Sequence, residues 1–227
     1  MTDVTLGFAH RYIHPAENGS SATLLLLHGT GGNEDDLLPL GAALAPTAGM
    51  LSPRGKVLEN GMLRFFRRLA MGVFDQEDLK IRTRELAGFV EAASRAYGFD
   101  PVAVVAVGYS NGANIAGSLM LRHPDLLAAA ILFRPMVPFV PSVPPDLSGK
   151  SVFLSSARHD SIVTPEEAMR VERLFRECRA EVFLQWQPRG HEMGPEEIPA
   201  IRDWLAGWVA KTGHLSRRSL HDGRQGF

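Results

Sequence analysis

A run of β-branched and small apolar residues that ends on a glycine and turns straight into helix leaves few folds open to a chain. Residues 102 to 113 read V-A-V-V-A-V-G-Y-S-N-G-A, with Ser110 two residues from Gly108 on one side and from Gly112 on the other. This is the G-x-S-x-G pattern in the strand–turn–helix setting that its chemistry requires. Side chains at the two flanking positions would collide with neighbouring backbone, and glycine removes them. The turn holds the serine in a strained conformation that lifts its hydroxyl clear of the sheet. Ser110 is therefore the candidate nucleophile.

On either side of this turn, strand and helix alternate. Residues 4–12 read as an edge strand, 22–27 as a buried strand ending at His28-Gly29, and 33–44 as a helix with Asn33 as its N-cap. A short strand over 48–51 stops at Ser52-Pro53. Leu79, Arg82, Leu86, Phe89, Val90, Ala93 and Tyr97 share one face at helical spacing, which predicts a long amphipathic helix over 76–97. The elbow strand (102–107) and its helix (111–122) follow. Next come a strand at 127–133, a Pro-rich excursion through Pro145 and a strand at 152–155. A helix opened by Pro165 runs to 178 or 179, a last strand covers 182–186, and Pro195 opens a final helix. The pattern predicts an α/β fold with a mostly parallel central sheet, helices on both faces and no large cap domain. In such sheets chemistry gathers at the carboxyl ends of the strands.

The 227 residues suit one domain, assigned to 1–210, with a polar, basic, aperiodic stretch at 211–227 expected to be a disordered tail. A net charge of −1 gives no electrostatic reason to expect nucleic acid or an anionic membrane as partner, and Arg64, Arg67 and Arg68 are too few for a nucleic-acid stripe. The single cysteine, Cys178, excludes an intrachain disulfide framework and a cysteine zinc site, and its helical setting marks a structural thiol. No secretory signal or membrane-length apolar run is visible, so the expected location is the cytoplasm.

A neutral serine hydroxyl needs a base within hydrogen-bond reach. Of eight histidines, His191 lies a few residues past the last strand, in Q-P-R-G-H-E-M, and so at the carboxyl edge of the sheet. The base in turn needs a carboxylate to fix its tautomer. Asp160 follows the strand at 152–155, whereas Asp100 precedes a strand and Asp125 follows the elbow helix, on the wrong edge. The order Ser110, Asp160, His191 is that of a strand-end serine triad. For the oxyanion, the N–H of Asn111 follows the nucleophile directly. The loop L-H-G-T-G-G-N-E offers Thr30 N–H as second donor. Two rival motifs fail: the third glycine of a dinucleotide loop would fall at Glu34, and the second histidine of a zinc-protease H-E-x-x-H would fall at Pro195.

These segments together resemble the α/β-hydrolase superfamily. The likeness is to its phospholipase/carboxylesterase group, in the branch of small bacterial carboxylesterases related to the hydroquinone-resistance hydrolase. The resemblance is carried by L-L-H-G-T-G-G-N-E-D-D-L at 26–37, S-P-R-G-K-V-L-E-N-G-M-L-R-F-F-R-R at 52–68 and G-Y-S-N-G-A-N-I-A at 108–116. L-F-R-P-M-V-P at 132–138, R-H-D-S-I-V at 158–163 and G-H-E-M at 190–193 complete it. It covers about residues 8 to 210 and implies hydrolysis of carboxylic esters without cofactor or metal. Ser110 would be the nucleophile, Asp160 the acid and His191 the base, with Thr30 and Asn111 as oxyanion donors. A homodimer is also implied. The chain departs from the better-known members, which carry Gln-Gly where Asn111-Gly112 stands here, and commonly proline where Ser161 stands.

The segment between Pro53 and Gln76 is long for a loop and follows a strand, so it lies over the site. Its apolar residues, among them Leu63, Phe65, Phe66 and Phe74, either line an acyl pocket or pack the segment down, and Arg54, Glu59 and Arg64 could form a buried polar network. Arg134 either meets a substrate carboxylate or makes a structural ion pair. A small-molecule ester is the expected substrate. An acyl-protein thioesterase or lysophospholipase is the alternative from the same group, and a catalytically silent binding protein the alternative from another class.

Overall fold

The protein's computed structural model describes residues 6–17 and 22–219, with side chains up to residue 211. Seven strands form the central sheet: β1 (His10–Ile13), β2 (Thr23–Leu27), β3 (Gly49–Pro53), β8 (Val104–Tyr109), β9 (Ala129–Phe133), β10 (Ser151–Ala157) and β11 (Glu181–Gln187). Between β3 and the first long helix lie two small antiparallel hairpins. One pairs β4 (Val57–Glu59) with β5 (Met62–Arg64), the other β6 (Arg68–Ala70) with β7 (Val73–Phe74). The sheet order is β1-β3-β2-β8-β9-β10-β11. Every neighbouring pair is parallel except β1 with β3. The helices are α1 (Leu38–Leu44), α2 (Gln76–Tyr97), α3 (Asn111–Arg122), α4 (Pro165–Glu177) and α5 (Ile198–Ser219).

The sheet is buried on both sides, which is why its strands read as unbroken apolar runs rather than alternating ones. Leu25, Leu27, Val104, Ala106, Leu132 and Leu154 pack against α2, α3 and α4 through residues such as Phe89, Leu119 and Phe175. Leu24, Leu26, Val105, Val107, Ile131 and Phe153 face the other way, onto Leu44 of α1 and Ile201, Leu205 and Trp208 of α5. Each such leucine contributes roughly 1.5–3 kcal/mol by leaving water. The two layers fix which way each strand end points.

Helix α2 has the bounds its periodicity predicts. Asp75 caps it by accepting from Asp78 N–H, and Gly98, in the left-handed region at φ 75°, ends it. Helix α1 does not begin at Asn33. Pro39 lies in its first turn, where a missing N–H is tolerated, and would break a longer helix. The Asn33 side chain instead accepts from Asp35 N–H in a local turn. The elbow strand starts at Val104 rather than Val102 because Asp100-Pro101 opens a 3-10 turn over 101–103. Of the edge strand expected over 4–12, residues 4 and 5 lie outside the described residues, and pairing begins at His10. Helix α5 continues past the boundary expected at 210, to Ser219, and residues 220–227 lie outside the described residues. Cys178 is buried, and burial pushes its thiol pKa up. Among the described residues no helix is long and apolar enough to cross a membrane.

Candidate active site

Ser110 is the junction of β8 and α3, and its backbone is in the left-handed region at φ 51°, ψ −110°. A serine holds this conformation only when its surroundings over-determine it. They do so through the two glycines. A Cβ on Gly108 would lie 2.6 Å from the Gly112 carbonyl oxygen, and one on Gly112 would collide with the Leu27 carbonyl of β2. The ladder also continues past the strand ends: Ser110 N–H donates to Phe133 O at 2.9 Å, and Arg134 N–H donates to Ser155 O at 2.9 Å.

Asp160 and His191 sit beyond β10 and β11, whose loops are laced together. Arg158 N–H donates to Gln187 O at 2.9 Å and His159 N–H to Arg189 O at 3.0 Å. Asp160 Oδ1 accepts from Ile162 N–H at 2.7 Å and Val163 N–H at 2.9 Å, which leaves Oδ2 aimed at the imidazole. His191 Nδ1 lies 2.8 Å from Asp160 Oδ2 and Nε2 lies 3.0 Å from Ser110 Oγ. A carboxylate oxygen accepts, so the ring proton belongs on Nδ1 and Nε2 is free to accept from the hydroxyl. Three residues from three strand ends thus form one hydrogen-bonded line.

Across the serine, the loop after β2 is clamped by the first hairpin. Gly31 N–H donates to Leu63 O at 2.8 Å, and Arg64 Nη1 donates to the Thr30 hydroxyl at 2.6 Å. The Asn111 side chain holds the next stretch, accepting from Phe65 N–H at 2.7 Å. Gly31 N–H is therefore committed, whereas the N–H groups of Thr30 and Asn111 have no hydrogen-bond partner among the described residues. Beneath the loop, buried His28 takes Gly55 N–H on Nε2 at 2.9 Å and lies 2.7 Å from Gly29 O through Nδ1. Burial pushes its pKa below the ordinary imidazole value. Glu34, buried in the same loop, is gripped by both ends of the Arg54 guanidinium at 2.5 Å, which draws its carboxyl below the usual range.

No family model matches the chain. A Bacillus subtilis (strain 168) protein named as a hydrolase, MhqD, is 48% identical over 192 residues, covering 84% of this chain and 96% of that one. The crystal structure of a Bacillus cereus carboxylesterase superposes with a TM-score of 0.85 at 44% identity, over 87% of this chain and 93% of that one. The chain belongs to the α/β-hydrolases, in their carboxylesterase branch. Another structure of that kind, a Mesorhizobium loti carboxylesterase, gives a TM-score of 0.84 at 32% identity, over 91% of this chain and 97% of that one.

In this hydrolase the pocket at Ser110 encloses about 180 Å³, and a larger groove of about 530 Å³ between β11 and α5 holds none of the residues just described. Of the residues expected to bind substrate, Phe74 lines the pocket. Leu63 does not, and Phe65 and Phe66 are core residues, 2% and 0% exposed, under the hairpins. Arg134 departs from the substrate reading altogether. It is 0% exposed, and its guanidinium is spent on Glu197 (2.7 and 2.9 Å), on Ser155 and on the Gly190 and Glu192 carbonyls that flank His191. It is a structural ion pair that also ties down the histidine loop. The pocket walls include residues that no local pattern marks, Tyr109, Asn114, Met136 and Ile162. Tyr109 donates its hydroxyl to His191 O at 3.3 Å, and Asn114 accepts from Met136 N–H at 2.8 Å.

Proposed function

We propose that the protein is a serine carboxylesterase that hydrolyses small carboxylic esters through an acyl-enzyme. The observation that carries this reading is the unbroken line from Ser110 Oγ to His191 Nε2 at 3.0 Å and from His191 Nδ1 to Asp160 at 2.8 Å. Ser110 Oγ attacks the ester carbonyl as His191 Nε2 takes its proton, and Asp160 stabilises the imidazolium that forms. The N–H groups of Thr30 and Asn111, which have no partner among the described residues, receive the oxyanion, each worth about 3 to 4 kcal/mol of barrier. His191 returns the proton to the departing alkoxide, which leaves as the alcohol. Water, deprotonated by the same imidazole, then attacks the acyl-Ser110 carbonyl and releases the acid, and the proton returns to Ser110.

The carboxylesterase relatives support the reaction class, and the small pocket supports short esters over the long acyl chains of a lysophospholipase or acyl-protein thioesterase. A screen of 4-nitrophenyl esters from acetate upward tests the reading. Turnover is expected to peak at short acyl chains and to vanish in Ser110→Ala. A rate that climbs steadily through long chains would sink the small-ester claim.

A further inference from the structure

The wall of the Ser110 pocket carries two guanidinium groups, Arg64 and Arg68, and they share a single counter-charge. Glu59 accepts from Arg68 Nε at 2.6 Å and from Arg68 N–H at 3.3 Å, and lies 3.5 Å from Arg64 Nε. No other carboxylate pairs with either arginine among the described residues. Arg64 directs Nη1 to the Thr30 hydroxyl and Nε to Phe66 O, and Arg68 Nη1 reaches only the Met71 thioether at 3.5 Å. Neither Nη2 group has an acceptor among the described residues.

This is an unusual arrangement for a mere hairpin clamp, which one arginine and one glutamate would provide. Arg64 is 3% exposed, and its burial works against the charged form. Arg64, Arg68 and Glu59 together therefore carry one net positive charge on this wall, with two donor groups that have no acceptor among the described residues. A planar guanidinium stays charged and presents paired N–H groups suited to a carboxylate.

We propose that Arg64 and Arg68 form an anion subsite in the Ser110 pocket, so that the preferred esters carry a negatively charged group, a carboxylate foremost. This rests on the esterase reading above and narrows its substrate class. An anionic substituent, on the acyl or the alcohol side of the ester, completes the charge balance that Glu59 leaves half made. Arg68 sits at the more open part of this wall, its side chain 22% exposed, and Arg64 also holds the Thr30 loop in place.

The test is a pair of matched comparisons of kcat/KM. 4-Nitrophenyl hemisuccinate against 4-nitrophenyl pentanoate places the charge on the acyl side, and 4-acetoxybenzoate against phenyl acetate places it on the alcohol side, each corrected for spontaneous hydrolysis. The charged ester is expected to be favoured about tenfold in one pair, through a lower KM, the scale of one charge-assisted hydrogen bond. The preference should shrink as salt rises from about 0.05 to about 0.5 M. In Arg68→Gln it should shrink as well, and Arg68→Lys should restore part of it. Turnover of the neutral esters with no preference for the charged ones in either pair overturns the subsite alone. Absence of turnover on all four esters by folded protein overturns the esterase reading and the subsite with it.

Discussion

Arg134→Met isolates the ion pair that supports the histidine loop. Arg134 and Glu197 are both 0% exposed, and among the described residues the Glu197 carboxylate has further partners only in the Ser155 hydroxyl and Gly194 N–H. Removing the guanidinium strands a carboxylate in the core, which costs about 3–5 kcal/mol. Total stabilities run to about 5–15 kcal/mol, so this is a large share. At about 2–4 °C per kcal/mol for a chain of this size, the melting temperature should fall by roughly 10 °C. The carbonyls of Gly190 and Glu192 lose their donors at the same time, so His191 is held less firmly and kcat should fall by about tenfold or more. The double variant Arg134→Met/Glu197→Leu removes the stranded charge. It should recover most of the stability and little of the kcat. Thermal melts and ester kinetics on the three proteins check this. A single variant within about 1 kcal/mol of the parent, with full activity, would refute the structural role.

Other expectations follow from the same geometry. Asp160→Asn keeps the shape but disturbs the imidazole tautomer, and should lower kcat by about 10⁴-fold with the fold intact; a loss under tenfold in ester assays would speak against the triad. Gly112→Ala drives a methyl into the Leu27 carbonyl and should destabilise by about 3 kcal/mol or more in urea titrations, with near-parent stability contradicting the close approach. His28 is held neutral by burial and by Gly55 N–H on its Nε2, and its folded pKa is lowered, so below about pH 6.5 the unfolded chain binds more protons than the folded one. Stability is then full above that pH and lost as pH falls, and His123, lowered by burial, acts the same way. The urea midpoint should drop between about pH 8 and pH 5.5, by less in His28→Gln, and a midpoint that rose on acidification would contradict this.

What could be read in advance divides along physical lines. Ser110, Asp160 and His191 were legible because a parallel sheet puts all its loops of one kind at one edge, so position after a strand stands in for position in space. Helix α2 was legible because its apolar residues from Leu79 to Tyr97 keep one face at helical spacing; the Asp75 cap and the left-handed Gly98 that bound it are seen in the structure. The hairpins over 57–74 were not. Their strands are two or three residues long, too short for an alternation to register, and the partly exposed Leu63 and Phe74 flank the buried Phe65 and Phe66. For Phe65 and Phe66 the sequence left pocket lining and packing of the segment both open, because the segment crosses the site; the Asn111 side chain pins their backbone, and both rings lie in the core. Arg134 finds its carboxylate 63 residues away, a pairing no local pattern announces.

The most direct measurement is covalent labelling of the folded protein with a fluorophosphonate, the adduct located by peptide mass spectrometry. A Ser110 that is activated by His191 and Asp160 should take one adduct per chain, and ester turnover should disappear in step with it. Ser110→Ala should take none, and His191→Ala should label far more slowly at an unchanged melting temperature. A folded protein that leaves Ser110 unmodified, or ester hydrolysis that survives in Ser110→Ala, would contradict the assignment of Ser110 as the nucleophile.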